Sequence, residues 1–202
     1  ATTTQHYAIF VFCGLLPWLW TTAGINEATS SIVGSGHLVT KSMFPAHILP
    51  VVAILSNMIN FMLSLPLLMI FMFVAQVRLT SALLLLPVLL MLHAIMLVGI
   101  GWGLSVLNVR YRDVQHVVGN ALTFLFFLCP IVYPPEMVPE RFRFTLELNP
   151  FAAFTTLYQS SLLGTTTPSL SALALVASSS LLALVVGSLV YLRFREGMAE
   201  NL

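Results

Sequence analysis

The chain has 202 residues, of which 58% are hydrophobic and only 7% are charged, and its formal net charge is +1. Soluble domains carry roughly 25% charged residues, so this composition excludes an ordinary water-soluble fold. The small net charge indicates neither a nucleic-acid nor an acidic partner. We therefore expect one all-α integral-membrane domain over residues 1–202, without a sizeable soluble appendage.

Five apolar stretches are long enough for membrane-spanning helices. In chain order they are residues 7–32, 51–77, 81–107, 114–133 and 170–192. Helices are the expected form because a backbone in lipid must satisfy its hydrogen bonds within its own segment. Pro17 interrupts the first stretch and Pro66 lies in the second. Both predict kinks supported by neighbouring helices.

The first stretch also contains the polar pair Asn26 and Glu27. An ionisable group inside a membrane span is costly, so it suggests a functional role. Two other roles remain open, a structural contact with a neighbouring helix and a position among the lipid headgroups. The nearby pair Trp18 and Trp20 is typical of an interfacial aromatic belt, and lining of a sugar path is the alternative.

The distribution of Lys and Arg predicts the orientation. Five basic residues fall on one side of the five spans and three on the other. The first side holds Lys41, Arg110, Arg112, Arg193 and Arg195, and the second holds Arg78, Arg141 and Arg143. The first side, with the C-terminus, is therefore predicted to be cytoplasmic. The N-terminus would then lie outside, yet "ATTTQHYAIF" has no signal-peptide pattern, so we expect a preceding span, as in a six-span protein.

The short connection in "LNVRYRDVQHVVGN", residues 107–120, concentrates charge in a chain that has little of it. Arg110, Arg112 and Asp113 lie within four positions, with apolar runs on both sides. Such charges hold a loop on the cytoplasmic face. Topological anchoring is the simplest interpretation of these charges. A contact with a partner protein is the alternative.

The segment before the last span, "YPPEMVPERFRFTLELNPFAAFTTLYQSSLLG", is too polar at its start to cross a membrane and too apolar later for an ordinary loop. It predicts two short helices that dip into the outer leaflet. Asn149 is the expected N-cap of the second helix, with Pro150 at its first position. A helix lying on the membrane surface is the alternative.

Chemical motifs are few. The sequence contains no P-loop, so ATP binding through that motif is excluded. In "GIGWG", Gly99 and Gly103 are four residues apart and predict a close helix-packing face, as do Ala183 and Gly187. Cys13 and Cys129 form no pattern typical of a metal site. His93 is predicted to be a hydrogen-bonded residue of the helical bundle.

Several fragments occur in a characteristic order: "YAIFVFCGLLPWLW", "SSIVGSGHLVTKSMFPAHILPV", "LNVRYRDVQHVV", "PIVYPPEMVP" and "LNPFAAFTTLYQSSLLG". Together they resemble the transmembrane permease subunit of type-2 ABC exporters of bacterial surface polysaccharides, namely O-antigen, capsule or teichoic acid. The resemblance implies a six-span homodimer in the bacterial inner membrane that moves a lipid-linked polysaccharide. It also implies a separate ATPase subunit that binds ATP and Mg, with no cofactor and no catalytic residue in this chain. The family's N-terminal amphipathic helix and first span are absent from this sequence.

The resemblance assigns roles to matched positions. The loop 38–50, with Lys41, Phe44 and Pro45, resembles the element that docks on the ATPase, and Arg110, Arg112 and Asp113 match the second cytoplasmic connection. The region 134–163 resembles the outer gate. Its residues of interest are Tyr133, Pro134, Asn149, Pro150 and Tyr158, and Gln159 stands where many relatives have arginine.

Two alternative functions remain open. A type-2 ABC exporter of drugs or lipids shares the architecture, although such proteins often carry larger extracellular domains. A membrane-embedded enzyme of envelope biogenesis, for example a polyprenyl-linked sugar transferase, requires clustered Asp, Glu or His on one membrane face. The seven acidic residues of this chain are scattered, which disfavours the enzyme.

Overall fold

The computed structural model describes residues 2–37, 45–77, 80–164 and 168–195. Helix is the only regular secondary structure in these ranges, which confirms the predicted all-α fold. The helices are α1 (Thr2–Gly34), α2 (Ile48–Val74), α3 (Leu86–Arg110), α4 (Val114–Phe127), α5 (Glu140–Glu147), α6 (Pro150–Leu163) and α7 (Leu170–Phe194). A short 3₁₀ helix, Ser81–Leu85, leads into α3, and another, Pro135–Met137, precedes α5.

Four helices of the described ranges are long and apolar enough to cross a membrane. They are α1 from Tyr7 onwards, α2, α3 together with its 3₁₀ turn, and α7. Four of the five predicted spans are therefore confirmed. Pro17 and Pro66 lie inside α1 and α2, and both helices continue through them.

The fourth predicted span is wrong in its extent. Helix α4 ends at Phe127 after 14 residues, a length of about 21 Å, whereas the hydrocarbon core is about 30 Å thick. The expected continuation to Tyr133 fails at Pro130, which has no N–H to donate and disfavours helical geometry at the residue before it. The chain leaves the helix through tight turns, in which the amides of Leu128 and Cys129 bond the carbonyls three residues earlier.

The non-helical stretch that follows α4 is buried and hydrogen-bonded. Cys129 and Ile131 are fully buried. The hydroxyl of Tyr7 donates to the Val132 carbonyl at 2.7 Å, and the hydroxyl of Tyr133 donates to the Phe127 carbonyl at 3.0 Å. Non-helical backbone at membrane depth is tolerated only where protein or water covers it. These contacts provide such cover.

The chain divides into two compact units. The first comprises Ala1–Leu19, Asn60–His93 and Phe124–Ser179, and the second comprises Trp20–Ile59, Ala94–Thr123 and Ser180–Leu202. The first unit has a hydrophobic cluster at Trp18, Cys129, Ile131 and Ala152. The second unit has one at Ile32, Ala46, Val106, Val109 and Tyr191, which we call the loop cluster.

The predicted small-residue packing is confirmed within the second unit. A Cβ added to Gly99 would collide with the backbone of Ala183, and one added to Gly187 would collide with the carbonyl of Gly99. A Cβ added to Gly103 would lie 3.6 Å from Cα of Gly187, which is an ordinary contact distance. Helices α3 and α7 therefore approach closely because neither carries a bulky side chain there.

The expected exposure of the tryptophan pair to the lipid interface is wrong. Trp18 is buried in the first unit, where its ring lies 6.1 Å from that of Phe126 and 6.2 Å from that of Phe151. Trp20 is buried in the second unit and donates its indole N–H to the carbonyl of Ile54 at 3.1 Å. Both indole rings thus pack inside the protein. An indole suits a protein core because its ring is apolar and its single N–H can donate to a buried acceptor.

Candidate functional site

The loop cluster brings together two of the segments predicted to face the cytoplasm. Ala46, directly after the exposed Pro45, packs with Val106 and Val109 from the last turns of α3. The indole N–H of Trp102 in α3 also donates to the carbonyl of His47 at 3.0 Å. The Pro45 segment is therefore anchored beside the end of α3. Lys41 and Phe44 lie outside the described residues.

The connection between α3 and α4 is a tight turn of three residues. The buried side chain of Asn108 accepts a hydrogen bond from the backbone amide of Gln115 at 3.1 Å. The carbonyl of Asp113 accepts from the amides of His116 and Val117, each at 3.1 Å. Asn108 thereby satisfies a donor at the start of α4, as capping residues do. The turn is held from inside the protein.

The charged side chains of this turn are exposed. Arg110, Arg112 and Asp113 all point away from the core of the second unit. The guanidinium of Arg110 lies 5.7 Å from the ring centre of Tyr111 and 5.9 Å from that of Phe194 in α7. Contacts of this kind order an arginine side chain without neutralising it. The structure thus presents two cations and one anion on a fixed turn.

Asn26 and Glu27 have different surroundings. Asn26 is half-buried and donates to the carbonyl of Thr22 one turn earlier, at 2.8 Å. Glu27 is exposed, and its carboxylate accepts a hydrogen bond from the side chain of Asn57 in α2 at 2.6 Å. Glu27 therefore forms a structural contact with a neighbouring helix, which was one of the alternatives that the sequence left open.

Helix α6, the second of the two short helices predicted to dip into the outer leaflet, has the predicted start. The side chain of Asn149 accepts from the amide of Phe151 at 3.0 Å, and Pro150 occupies the first helical position of α6. Ten of the fourteen residues of α6 are buried. A helix that re-enters the membrane needs this covering by protein. Gly164 ends the helix in the left-handed conformation, with φ of 62°, against the side chain of Thr80.

Two of the residues that the resemblance assigns to an outer gate lie where the chain leaves α4. Tyr133 and Pro134 are half-buried, and Pro134 immediately precedes the 3₁₀ helix Pro135–Met137. The hydroxyl of Tyr133 donates to the carbonyl of Phe127 at 3.0 Å, which ties this stretch back to the end of α4.

Tyr158 lies at the centre of an aromatic group in the first unit. It is fully buried, and its hydroxyl is 3.5 Å from Nδ1 of His93. The ring of His93 stacks on that of Phe154 at 4.5 Å, and the ring of Phe61 meets Tyr158 edge-on at 5.8 Å. His93 is thus the hydrogen-bonded bundle residue that the sequence predicted. Tyr158 serves here as a packing residue of α6.

Gln159 holds α6 against two other segments. Its side-chain amide donates to the carbonyl of Pro130 at 3.1 Å and to that of Phe10 in α1 at 3.5 Å. Gly14 faces the same amide, since a Cβ at that position would lie 2.7 Å from Nε2 of Gln159. Gln159 is therefore buried and bound to backbone carbonyls.

The sequence reasoning missed a cavity in the first unit. Its volume is about 690 Å³, and it lies between the segments of residues 135–156 and 169–175. Three ionisable side chains line it, Glu136, Arg143 and Glu147, together with hydroxyl groups of Thr156, Ser169 and Ser171. The one sequence signal was the spacing of Arg143 and Glu147, which places both on one face of α5.

No group of three or more His, Cys, Asp or Glu side chains in the described ranges is arranged to hold a metal ion. What these ranges offer is a fixed charged turn, the buried helix α6 and long apolar helices. These features define a multi-pass helical membrane protein with a structured segment between its last two apolar helices.

Comparison with known proteins identifies the family. The chain belongs to the ABC-2 type transporter family, whose profile matches residues 2–163. It is therefore a permease subunit, which is not an enzyme in itself. The family and the apolar helices agree on a multi-pass membrane protein.

Three similar proteins share the name "O-antigen export system permease protein RfbA". The protein of Myxococcus xanthus is 32% identical over 199 residues, which are 98% of this chain and 76% of the relative. Two proteins of Klebsiella pneumoniae are 27% and 26% identical over 149 residues, 73% of this chain and 58% of each relative. The chain thus spans a little over half the length of the Klebsiella relatives.

Proposed function

We propose that this chain is the membrane-spanning subunit of an exporter that moves a lipid-linked polysaccharide of the O-antigen type across the bacterial inner membrane. Two copies enclose the path, and a separate subunit binds ATP and Mg and supplies the energy. The observation that carries the proposal is the similarity to an O-antigen export permease over 98% of this chain. The order of the matching motifs along the sequence supports it.

The coupling role of the charged turn is part of the proposal. Mechanical coupling to an ATPase needs a short, stiff element, and the turn at Arg110, Arg112 and Asp113 is held by Asn108. The Pro45 segment packs in the loop cluster with Val106 and Val109, at the end of α3 that leads into this turn. A force applied at either segment would therefore act on the same core. Lys41 and Phe44, which precede Pro45, complete the proposed docking surface.

The outer-gate role of α6 and of the residues before it is likewise proposed. Asn149 and Pro150 shape the entry into α6, and Tyr158 fixes its buried face. Tyr133 and Pro134 lie earlier, where the chain leaves α4. Interior hydrogen bonds from Gln159 would let α6 move together with the chain near Pro130. A gate built in this way shifts as a packed element, since close-packed interiors do not deform continuously.

The proposal is tested by deletion of the gene in its own host. Loss of the permease should remove the polysaccharide from the cell surface and accumulate it inside, as detected by immunoblotting of surface and total fractions. Expression of the full-length gene should restore the surface material. A drug or lipid exporter of the same family would instead leave the surface polysaccharide unchanged and alter drug tolerance or lipid distribution.

A further inference from the structure

The cavity lined by Glu136, Arg143 and Glu147 contains charged side chains that do not form ion pairs with one another. Arg143 donates only a long hydrogen bond, 3.4 Å, to the carbonyl of Val138. Within the ranges that the structure describes, neither carboxylate pairs with this guanidinium, and all three side chains are exposed. One cation and two anions therefore face the same space of about 690 Å³, a volume typical of small-molecule sites.

The position of the cavity along α7 indicates its depth in the membrane. Helix α7 has 25 residues and is about 37 Å long, so it is longer than the hydrocarbon core, which is about 30 Å thick. Ser169, Ser171, Ala172 and Leu175, at and within the first turns of α7, line the cavity. If α7 crosses the bilayer, its first turns are expected at the boundary between headgroups and acyl chains.

The surroundings of the cavity also suit that boundary. Phe142 and Phe144 on α5 are 47% and 56% exposed, and Leu148, which lines the cavity, is 71% exposed. Charged and aromatic side chains alternate along this short helix, a composition typical of segments that lie at a membrane interface. The cavity thus opens where a lipid headgroup and the first carbons of its chains can both reach it.

We propose that the cavity binds the headgroup of a zwitterionic aminophospholipid of the adjacent leaflet. The phosphate is placed at Arg143, and the primary ammonium is placed between Glu136 and Glu147. Arginine recognises phosphate through paired hydrogen bonds, and an ammonium group donates three hydrogen bonds, which suits two carboxylates. Leu146 and Leu175, which also line the cavity, contact the glycerol and the first methylene groups.

The charge balance of the cavity selects among lipids. An anionic lipid would meet Arg143 but also two carboxylates, and a like charge disfavours binding. A choline headgroup carries the positive charge but no N–H, so it cannot donate to either glutamate. The same repulsion disfavours the phosphate groups of a lipid-linked glycan. Binding of an aminophospholipid here therefore does not depend on the proposed polysaccharide export.

The test is native mass spectrometry of the purified full-length protein in detergent, with equimolar POPE, POPC and POPG added. The lining residues are changed in Arg143→Gln and in the double variant Glu136→Gln/Glu147→Gln. Matched controls are Arg141→Gln and Glu140→Gln. In the wild-type protein the guanidinium of Arg141 lies 4.8 Å from the ring centre of Phe142. Both control residues lie on α5 but do not line the cavity. Thermal unfolding of each variant verifies its fold.

The wild-type protein should retain POPE about tenfold over POPG, since one charge-assisted contact of this size changes affinity by roughly that factor. Arg143→Gln should reduce POPE retention about tenfold, and the double glutamine variant should abolish the preference over POPG. Both controls should retain wild-type selectivity. Equal retention of the three lipids by the wild-type protein, or an equal loss in Arg141→Gln and Arg143→Gln, would overturn the proposal.

Discussion

Asn57 of α2 donates a hydrogen bond to the carboxylate of Glu27 in α1, with 2.6 Å between Nδ2 and Oε2. Asn57 is buried and also donates to the carbonyl of Ala53 at 2.9 Å. Both donors of its amide are therefore satisfied only while Glu27 is present. The costly acidic residue of the first span thus has a structural reason to be there.

Replacement of Glu27 should destabilise the protein modestly. Glu27→Leu leaves one amide proton of Asn57 without an acceptor, and such contacts in membranes contribute about 0.6 kcal/mol on average and about 1.7 at most. We expect a lower Tm in detergent and reduced export, with normal membrane insertion. Glu27→Gln is the control, because its carbonyl still accepts the bond. Unchanged Tm and export in Glu27→Leu would place Glu27 among the headgroups instead.

Gly14 and Gln159 form a second pair that mutagenesis can separate. A Cβ at position 14 would lie 2.7 Å from Nε2 of Gln159, so Gly14→Ala must displace an amide that bonds two carbonyls. The expected cost is about 1–3 kcal/mol, the penalty of leaving buried polar groups unsatisfied. It is measured as a fall in Tm.

The double variant makes this prediction specific. Gln159→Ala alone loses the same hydrogen bonds, so Gly14→Ala added to it should cost little further stability. Gly34→Ala is a steric control, because a Cβ there meets nothing within 4 Å. Additive losses in the double variant would show that the two positions do not share this contact.

The orientation is tested with two single cysteines. Cys13 and Cys129 are fully buried and are replaced by alanine. Arg112 and Glu140 are both exposed, so a cysteine at either site is accessible to reagents. In intact cells an impermeant maleimide should label Glu140→Cys, and Arg112→Cys should react only after the membrane is opened. Labelling of both cysteines from outside would contradict the topology.

Docking of the ATPase is expected to depend on Phe44. Burial of one phenylalanine contributes roughly 1.5–3 kcal/mol, so Phe44→Ala should weaken ATPase binding by about one to two orders of magnitude. Co-purification of the ATP-binding subunit measures the effect. Phe44→Leu preserves an apolar side chain and should retain most of the binding. If the segment only anchors topology, Phe44→Ala will retain the ATPase in full and Lys41→Ala will affect insertion.

Local chemistry was readable from the sequence. The cap at Asn149, the first-turn Pro150 and the packing of Gly99 against α7 follow from side-chain size and hydrogen-bonding capacity at neighbouring positions. Four spans followed from their unbroken apolar length. Each of these features depends on a few adjacent residues, so it can be predicted from the sequence without knowledge of long-range contacts.

Other features depended on contacts between distant segments. Hydropathy does not distinguish the helical part of residues 114–133 from the buried turns after Phe127, because both are apolar. The burial of Trp18 requires Phe151, more than a hundred residues away. The cavity forms only where α5 and α6 meet the start of α7, so the roles of Glu136, Arg143 and Glu147 were not visible as a motif.

The central claim is that this chain conducts a lipid-linked polysaccharide only when an ATP-binding subunit drives it. The most direct measurement is transfer of such a glycan across vesicles that contain the purified permease and its ATPase, with access to an external lectin as readout. We expect transfer that depends on ATP. It should be lost when the ATPase is inactivated and strongly reduced in the Phe44→Ala variant. Transfer at the same rate without ATP, or no transfer by the active complex, would contradict it.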